Sequence, residues 1–447
     1  MNITRSNINE FLNIFCFVSF FAWIILFICT HFLNINQGMG GVIFIFGLVI
    51  SSFVVLKMLL YKQKSLLIFA LFLFSYVYNL RYYFLYNKDI SYHQSFNSEY
   101  FYNNTALIHI LFLITLLFFI NHPYFVKKKE IGRISFIVKD NFYVFTIVFA
   151  LSALIFLLGR SGQTLIVGAY GKTDVEQSSF NEYFIVTFLV AYLFSGLKSW
   201  RLILLYMLAL VYVIKNILYG GRIEALQIAL LLFCLILEHR ITIKKLMIFF
   251  VLGLYILNLF TRIRENPLII VNENWLDIAN PFNFEPGGDI ISNNQGDVFQ
   301  SSVRLYGLVD TGILNNLDRE YSFLLFFYSI FLPFSWLPPL ANLSTYFQDG
   351  FSSGGGGLIS SYFYVWLSIP GVILIAVFVS YILSKYKLFK YNSLNVYTIL
   401  FVSTSPRWMA YNPIIMFKLC VYGLIFYILC NSAHASCKAK KLVINFN

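Results

Sequence analysis

The chain of 447 residues is 59% hydrophobic and 19% aromatic, and only 12% of its residues are charged. Soluble domains carry about 25% charged residues, so this composition excludes a soluble protein and indicates an integral membrane protein. The net charge of +12 is expected from the basic loops of such a protein, and it gives no indication of a nucleic-acid partner.

Apolar segments long enough to cross a bilayer, which takes about 20 helical residues, recur along the chain. Segments such as FALFLFSYV and IALLLFCLIL do not alternate apolar with polar residues as membrane β-strands do, so helices are expected. The sequence therefore predicts an all-α polytopic membrane protein with one integral domain over residues 1–447. About twelve transmembrane helices are predicted, near 11–33, 42–60, 65–86, 105–125, 141–158, 182–199, 201–218, 223–240, 244–262, 358–384, 394–410 and 413–430.

The basic residues of the connecting segments predict the orientation of the chain in the membrane. Every second connection is rich in Lys or Arg, as in KMLLYKQK (57–64), which includes Lys57, KKKEIGR (127–133) and HRITIKK (239–245). Short basic loops stay in the cytoplasm, so both termini are predicted to be cytoplasmic. The apolar segment 321–341 does not fit as a further span, because it would place the basic loop 385–390 outside. Since three prolines interrupt it, we expect a re-entrant or surface-lying segment.

Lysine and arginine divide differently between the two sides of this topology. Of the 32 basic residues, 20 are assigned to the cytoplasm and 16 of these are Lys, whereas eight of the other 12 are Arg. A guanidinium binds phosphate or carboxylate in two places at once, so external arginines indicate anion recognition. Arg81 and Arg160 lie at the outer ends of predicted helices and are expected to anchor in lipid headgroups.

The motif YGGR (219–222) opens the eighth predicted span on its external side. A helix N-terminus presents unbonded N–H groups and favours an anion. Gly220 and Gly221 permit close approach of the backbone to a ligand, and Arg222 adds a cation beside them. The alternative is a tight glycine turn in which Arg222 extends to lipid headgroups.

The longest stretch without a predicted span is 262–320, and it begins a large external loop region that extends over residues 262–357. It combines carboxylates and arginines with Asn, Gly, Trp and Tyr residues. Such a mixture suits sugar recognition, and the alternative is a loop that is merely soluble. Arg262, Arg264 and Arg304 are the candidate arginines for binding an anionic substrate.

A run of four glycines precedes the next inward-running helix: Gly354, Gly355, Gly356 and Gly357. It offers a second helix N-terminus to an anion on the same side of the membrane. A flexible hinge is the alternative, because a glycine run alone has low specificity.

The segment SPRWMAYNP (405–413) interrupts the last pair of spans with two prolines. It leaves Arg407 at membrane depth, where an ionisable residue is a functional candidate by default. Trp408 and Tyr411 beside it are expected to anchor at the membrane interface.

The order of these motifs resembles the O-antigen polymerase (Wzy-type) family of oligosaccharide repeat-unit polymerases. The shared pattern is YGGR opening a span, a long external loop, GGGG before a helix with a Pro-Gly pair, and PRWMAYNP near the end. After the glycines, that family often has an acidic residue and an Asn-Phe-Gly sequence. Here Tyr362, Trp366, Leu367 and Ser368 stand in those places, and Gly371 is kept.

The resemblance implies a glycosyltransferase of the bacterial inner membrane that joins oligosaccharides carried on a polyprenyl diphosphate such as undecaprenyl diphosphate. The joining takes place on the external face, and the product is the O-antigen of lipopolysaccharide or a similar surface polysaccharide. Membrane lipids and a chain-length regulator are the expected partners besides the lipid-linked substrates. The positions carried over from the family are Arg222, Gly354 to Gly357 and Arg407.

The residue types fit this chemistry independently of the resemblance. Cleavage of a sugar–diphosphate bond leaves negative charge, which prepositioned arginines and helix N-termini stabilise where water is scarce. Arg222, Arg264 and Arg407 are therefore the predicted catalytic cations, and neither a metal ion nor a cofactor is predicted.

The acceptor hydroxyl must lose a proton as it attacks, which requires a base within hydrogen-bond distance. None of the six histidines lies between residues 262 and 320, so a loop carboxylate is the expected base. Asp289 and Asp297 are the leading candidates, followed by Glu265.

Two other classes of protein compete with the polymerase. An O-antigen ligase uses the same donor, but that family tends to carry a histidine in its large external loop. A flippase or exporter of the glycolipid usually shows two related halves and charged residues near the membrane midplane. The arginines here crowd the predicted outer ends of the helices instead, so the polymerase is the preferred hypothesis.

Overall fold

The structure of the chain, a computed structural model, describes residues 5–61, 64–85, 96, 98–122, 125, 137–161, 176–177, 179–218, 222–238, 240–265, 296–344, 346 and 356–444. The regular secondary structure of these residues is helical apart from a two-residue ladder that pairs Arg160–Ser161 with Glu176–Gln177 and an isolated antiparallel bridge between Asp140 and Ser195. The chain is therefore an all-α membrane protein. Six helices in the described ranges are long and apolar enough to cross a membrane: Glu10–Phe32, Met39–Leu60, Glu99–Phe119, Ser199–Ile217, Ile359–Ser384 and Ile414–Ser436.

Helices also lie on the other apolar segments that the sequence predicts to span. Four of these are shorter apolar helices: Lys64–Asn79, Phe142–Leu158, Phe180–Leu193 and Ile223–Leu237. Two more are Ile243–Glu265 and Asn392–Ser403. A helix of 16 residues such as Lys64–Asn79 is about 24 Å long, which is less than the ~30 Å of a hydrocarbon core. The twelve-helix topology stays a prediction.

The chain divides into two compact units. The first comprises Met1–Lys129, Ile291–Lys385 and Arg407–Ile414. The second comprises Glu130–Ile290, Tyr386–Pro406 and Ile415–Asn447. At the centre of each unit lies a helix that neighbouring helices bury.

The helix Glu99–Phe119 is the centre of the first unit, and most of its side chains are buried. Four helices pack against it: Arg5–Phe27, Met39–Tyr61, Gly296–Asp310 and Ile359–Ser384. Trp23 of the first of these donates its indole N–H to the carbonyl of Leu107 at 2.8 Å.

The central helix has a polar beginning and an apolar remainder. Asn103, Asn104, Thr105 and His109 are all buried in its first three turns. Asn104 Oδ1 accepts a hydrogen bond from Thr30 at 3.0 Å, which satisfies both groups where no water reaches them. Four buried polar residues of the central helix thus lie in its first three turns.

At the other end of the central helix, the side chain of Lys57 donates to the carbonyl of Leu117. The last carbonyls of a helix have no partner within it, and a cation near them is favourable. The sequence assigns Lys57 to a basic loop, but its side chain is only 4% exposed. It therefore caps a helix instead of facing the solvent.

The helix Ile359–Ser384 bends sharply at Ser368, where φ is 56° and ψ is −147°. Pro370 contributes to the break because it lacks an N–H and its ring clashes with the preceding turn. Residues 359–367 therefore form a separate half-helix. A Cβ on Gly371 would clash with the carbonyl oxygen of Phe363, so glycine lets the following segment pack directly on the half-helix.

The second unit has the helix Phe184–Leu193 at its centre, and all ten of its residues are buried. The rings of Phe184 and Tyr212 stack at 3.8 Å and join it to the neighbouring helix Ser199–Leu218. Lys387 Nζ and Glu238 Oε2 form an ion pair of 2.7 Å with both side chains buried. Since an unpaired buried charge is strongly destabilising, this pair holds two segments of the unit together.

The exposed side chains of the long helices are large and apolar. On the first helix Phe17 and Ile25 are more than 60% exposed, and on Ile243–Glu265 so are Ile248 and Val251. Faces of this kind are unfavourable in water, and a lipid environment accommodates them. They support the assignment of the chain to a membrane.

Replacing Asp140 by Asn is expected to destabilise the second unit in a pH-dependent manner. Lys198, 2.9 Å away, and Arg201, 2.8 Å away, hold the pKa of Asp140 below its ordinary value of 3.8. Because folding lowers this pKa, the ionised carboxylate stabilises the folded protein above pH 3.8. This stabilisation is lost as the pH falls below that value and the carboxylate becomes protonated. Because Asp140 is half-exposed, we expect a loss of only about 1 kcal/mol at pH 7.

Thermal unfolding of the detergent-solubilised protein at several pH values measures this effect. The melting temperatures of the wild type and Asp140→Asn should converge as the pH falls below 3.8 and the Asp140 carboxylate becomes protonated. Glu320→Gln, which changes an exposed carboxylate, is the control and should leave the melting temperature unchanged. An equal difference between wild type and Asp140→Asn at all pH values would contradict the electrostatic explanation.

Candidate functional site

The predicted external loop contains helices where the structure describes it. Gly296–Asp310, hereafter the loop helix, and Asn316–Phe331 both lie in the first unit. Residues 298–308 of the loop helix are buried, so this part of the region is not a solvated loop. The predicted external loop region over 262–357 thus contains buried helices in its described part, and its location outside the membrane stays a prediction.

Three predicted site residues of this region lie in helices. Arg262 and Arg264 belong to the last turn of Ile243–Glu265, which extends three residues beyond the predicted span. Asp297 lies in the first turn of the loop helix, where an acidic residue suits the helix dipole. The side chains of all three are outside the described part of the structure, so their predicted roles stay predictions.

The half-helix 359–367 begins against the loop helix. A Cβ on Gly357 would lie 2.8 Å from Leu305 Cδ1 and 3.3 Å from Ser302 Oγ. The backbone N–H of Leu358 donates to Ser302 Oγ at 2.7 Å. Glycine is thus needed at position 357 so that the loop helix can pack against the start of the half-helix.

Gly356 makes a similar approach to the segment that follows Arg407. Its φ is 107°, a conformation that favours glycine, and a Cβ there would lie 2.5 Å from Tyr411 Cα. The space beside both described glycines is filled by protein. They therefore have a packing role in the structure, and their predicted role in binding substrate stays a prediction.

Hydrogen bonds reinforce the contact between the half-helix and Tyr411. The Tyr362 hydroxyl donates to the carbonyl of Tyr411 at 2.8 Å. Ser344 Oγ lies within hydrogen-bond distance of the same carbonyl, at 3.1 Å, and of the Tyr362 hydroxyl, and its single proton serves one of these two oxygens. The segment around Tyr411 is therefore fixed to the half-helix.

Two predicted arginines lie on the elements joined in this way. Arg407 is one turn before Tyr411, is half-buried, and has its guanidinium 5.7 Å from the Tyr411 ring. Arg304 precedes Leu305 on the loop helix and is only 1% exposed. The first unit thus holds Arg304, Arg407 and the two described glycines on contacting elements.

Arg222 belongs to the second unit, at the start of the helix Arg222–Leu232. Its side chain lies outside the described part of the structure, so a site shared with Arg407 stays a prediction. Five other predicted site residues lie outside the described residues altogether: Gly220, Gly221, Asp289, Gly354 and Gly355.

Two residues that we expected at the membrane interface are buried instead. Trp408 is 0% exposed, and its ring lies 5.8 Å from that of Phe69. Arg81 is 8% exposed, with its guanidinium 4.0 Å from the Tyr78 ring. The expectations of an interface anchor at Trp408 and a headgroup anchor at Arg81 are therefore wrong, because helix packing covers both side chains.

Arg319 caps the end of the half-helix. Its guanidinium donates to the carbonyls of Val365 and Tyr364, and at 2.6 Å to Ser368 Oγ. The break at Ser368 leaves these carbonyls without the N–H groups of a continuing helix, and a cation suits a helix C-terminus. Arg319 therefore stabilises the broken backbone.

A polar cluster that the sequence analysis did not foresee lies beside this cap. The hydroxyls of Tyr100 and Tyr306 each contact both His31 and Asp310. His31 Nδ1 lies 2.9 Å from Tyr306 Oη and 3.1 Å from Tyr100 Oη. We refer to these four residues as the His31 cluster. Tyr364 of the half-helix stacks on Tyr306 at 5.4 Å, which joins the cluster to the broken helix.

The His31 cluster contains both buried and accessible groups. Tyr306 is 1% exposed, and burial together with the neighbouring tyrosines and Asp310 raises its pKa far above the ordinary value. Asp310 is exposed and His31 is half-buried. His31 lies in the π-helical turn Ile28–Phe32, a kind of helix distortion that is frequent at functional sites.

Part of this cluster was readable in the sequence. Tyr306 and Asp310 are four residues apart, so they share one face of a helix. His31 lies near the end of a predicted span, where an ionisable residue deserves a functional hypothesis. The argument that excluded histidine because none lies between 262 and 320 does not hold, since His31 contacts that segment from the first helix.

Comparison with known proteins returns no match for this chain. No family model, curated protein or solved structure matches it. The resemblance to O-antigen polymerases therefore depends on the sequence motifs alone, and the function that it implies is a proposal.

Gly356→Ala is expected to destabilise the protein by about 2–4 kcal/mol. The substitution combines an unfavourable left-handed backbone conformation, about 1–2 kcal/mol, with a clash against the Tyr411 backbone. Gly312→Ala is the matched control, because Gly312 has a φ of 73° but open space around its Cβ position. The melting temperatures of the two variants separate the cost of the backbone conformation from the cost of the clash. Equal decreases in melting temperature for Gly356→Ala and Gly312→Ala would exclude the clash.

Arg319→Ala is expected to cost about 2–3 kcal/mol, since it removes charged hydrogen bonds from the carbonyls of the half-helix. Arg319→Lys should recover only part of this loss, because an ammonium lacks the planar fork that reaches several acceptors. Denaturation of the purified variants measures the difference. Full recovery by lysine would show that charge alone is sufficient at this position.

Proposed function

We propose that this protein is a glycosyltransferase that polymerises oligosaccharide repeat units carried on a polyprenyl diphosphate. In this proposal the chain has about twelve spans with both termini in the cytoplasm of a bacterium. The reaction takes place on the external face of the inner membrane and yields an O-antigen or a similar surface polysaccharide. Neither a metal ion nor a cofactor is part of the proposal.

One observation carries the proposal: three motifs that are far apart in sequence contact one another in the first unit. The glycine-preceded half-helix packs on the loop helix through Gly357 and on the PRWMAYNP segment through Gly356. These are the motifs whose order resembles the polymerase family. Their meeting supports a common role, since packing alone does not require arginines on two of the contacting elements.

The arginines on these elements suit the proposed donor. Arg407 is half-buried among Tyr411, Trp408 and neighbouring residues, where a positive charge interacts strongly with a phosphate. When the acceptor oxygen attacks the anomeric carbon, the bond from that carbon to the diphosphate oxygen breaks and its electron pair stays on the diphosphate. Arg407 stabilises that charge in this proposal, and Arg222 is kept as a predicted catalytic cation.

An O-antigen ligase is the second candidate, and one observation favours it. The ligase was disfavoured because no histidine lies in the loop sequence, yet His31 contacts Tyr306 on the loop helix. Both enzymes would use the same donor and differ in the acceptor, which is a new repeat unit for the polymerase and a lipid for the ligase.

A gel of surface glycan from a strain that lacks the gene tests the proposal. Loss of a polymerase leaves single repeat units, on the carrier or on the finished glycolipid. Loss of a ligase leaves long chains on the carrier, and loss of an exporter leaves repeat units on the cytoplasmic side. A normal ladder of chain lengths in the deletion strain would exclude the polymerase.

Arg407→Ala and Arg222→Ala are each expected to reduce chain extension by about 100-fold, the typical loss when one group that stabilises developing charge is removed. The deletion strain complemented with either variant should therefore show single repeat units. Arg240→Ala is the control, because Arg240 is exposed and outside the proposed site. Immunoblots must show equal amounts of protein in the membrane, and normal-length chains from both variants would remove these assignments.

A further inference from the structure

The contacts of the His31 cluster allow a proton arrangement in which both tyrosines donate to Asp310. Tyr100 donates its hydroxyl proton to Asp310 Oδ1 at 2.9 Å, and Tyr306 Oη lies 3.3 Å from the same oxygen, 3.4 Å from Tyr100 Oη and 2.9 Å from His31 Nδ1. When Tyr306 also donates its one proton to Asp310, both hydroxyls offer only lone pairs to His31. Nδ1 of His31 is then the donor toward both tyrosine oxygens. In this arrangement the neutral ring carries its proton on Nδ1 and its lone pair on Nε2.

Neighbouring aromatic rings fix the orientation of this imidazole. Phe27 stacks on it with a centroid distance of 5.0 Å and an interplanar angle of 12°. Phe32 packs edge-on at 4.8 Å. In the described ranges of the chain, His31 makes hydrogen bonds only through Nδ1, and Nε2 contacts no hydrogen-bonding group. A half-buried ring with a fixed orientation and an accessible lone pair is what a general base requires.

The carboxylate of Asp310 completes the His31 cluster. In a catalytic triad, a carboxylate bonded to a histidine Nδ1–H holds the tautomer and stabilises the imidazolium that forms. Here Asp310 acts on His31 through two tyrosine hydroxyls. Beside the cluster, Tyr364 stacks on Tyr306 and Arg319 donates to the carbonyl of Tyr364, and neither side chain bonds to the histidine.

We propose that His31 is the general base for the acceptor hydroxyl, and that Tyr100, Tyr306 and Asp310 are its positioning residues. This proposal rests on the glycosyltransferase function proposed above. The acceptor oxygen bonds to the anomeric carbon, and the bond from that carbon to the diphosphate oxygen breaks with its electron pair on the diphosphate. The acceptor proton passes to His31 Nε2, and the imidazolium then releases it to water.

The experiment uses membranes that contain the full-length protein, and the glycolipid that accumulates in the deletion strain is the substrate. We expect His31→Gln to lower the rate of chain extension by about 100-fold or more, with little change in the substrate concentration at half-maximal rate. His122→Gln, which changes another half-buried histidine of the first unit, is the matched control and should retain the wild-type rate. Equal melting temperatures of the purified variants confirm that folding is intact.

Two further measurements distinguish a base from a structural residue. The pH profile of the wild-type rate should differ from that of the residual activity of His31→Gln, which lacks the base. In His31→Ala, added imidazole should restore part of the rate, because it supplies the missing base.

The positioning residues have their own test. Tyr306→Phe keeps the ring that stacks on Tyr364 but removes one acceptor of the His31 proton, and it should lower the maximal rate about tenfold. Tyr328→Phe is the control, since Tyr328 is 53% exposed in the same unit. A wild-type rate and pH profile in His31→Gln would overturn the assignment of His31 alone. Wild-type membranes that do not extend the glycolipid would overturn the proposed function together with it.

Discussion

A polar group inside an apolar helical bundle must find its partner within the protein, because lipid offers no hydrogen bonds. Two places in the first unit that depart from a simple apolar helix show how this constraint is met. The broken backbone at Ser368 is bonded by Arg319, and the buried amide of Asn104 is bonded by Thr30. These partners therefore fix the neighbouring segments at both places.

The same constraint brings the candidate site together. The half-helix 359–367 can end inside the protein only because Arg319 reaches its carbonyls from Asn316–Phe331. That end places Tyr364 on Tyr306, and Tyr306 in turn meets His31. A group of chemically active residues thus lies at the point where a helix is interrupted, as is common for membrane proteins that handle polar substrates.

The sequence predicted the helices well and the contacts between them poorly. Helices lie on every predicted span because a run of apolar residues has one stable structure in a membrane. The breaks at the prolines after residue 332 and at Pro406 were also readable, because proline lacks an N–H. By contrast, the sequence gave Arg81, Trp408 and Lys57 surface roles, since burial of a large or charged side chain depends on partners from other helices.

In the candidate site, too, the sequence predicted individual residues better than the contacts between them. Gly356, Gly357, Arg304 and Arg407 were singled out from local motifs, and the structure places them on contacting elements of one unit. His31 was set aside because its distance along the chain from the loop was taken as a distance in space. Contacts between residues 275 positions apart, such as His31 with Tyr306, leave no periodic signal in a single sequence.

The left-handed backbone at Ser368 has an evolutionary consequence. A side chain branched at Cβ is strongly disfavoured at a φ of 56°, so divergent relatives should retain serine, glycine or asparagine there. Where a relative has restored a continuous helix at this position, the carbonyls of its first half no longer need an external donor. Such a relative is then free to lose the arginine at the position of Arg319, and the two positions should vary together across the lineage.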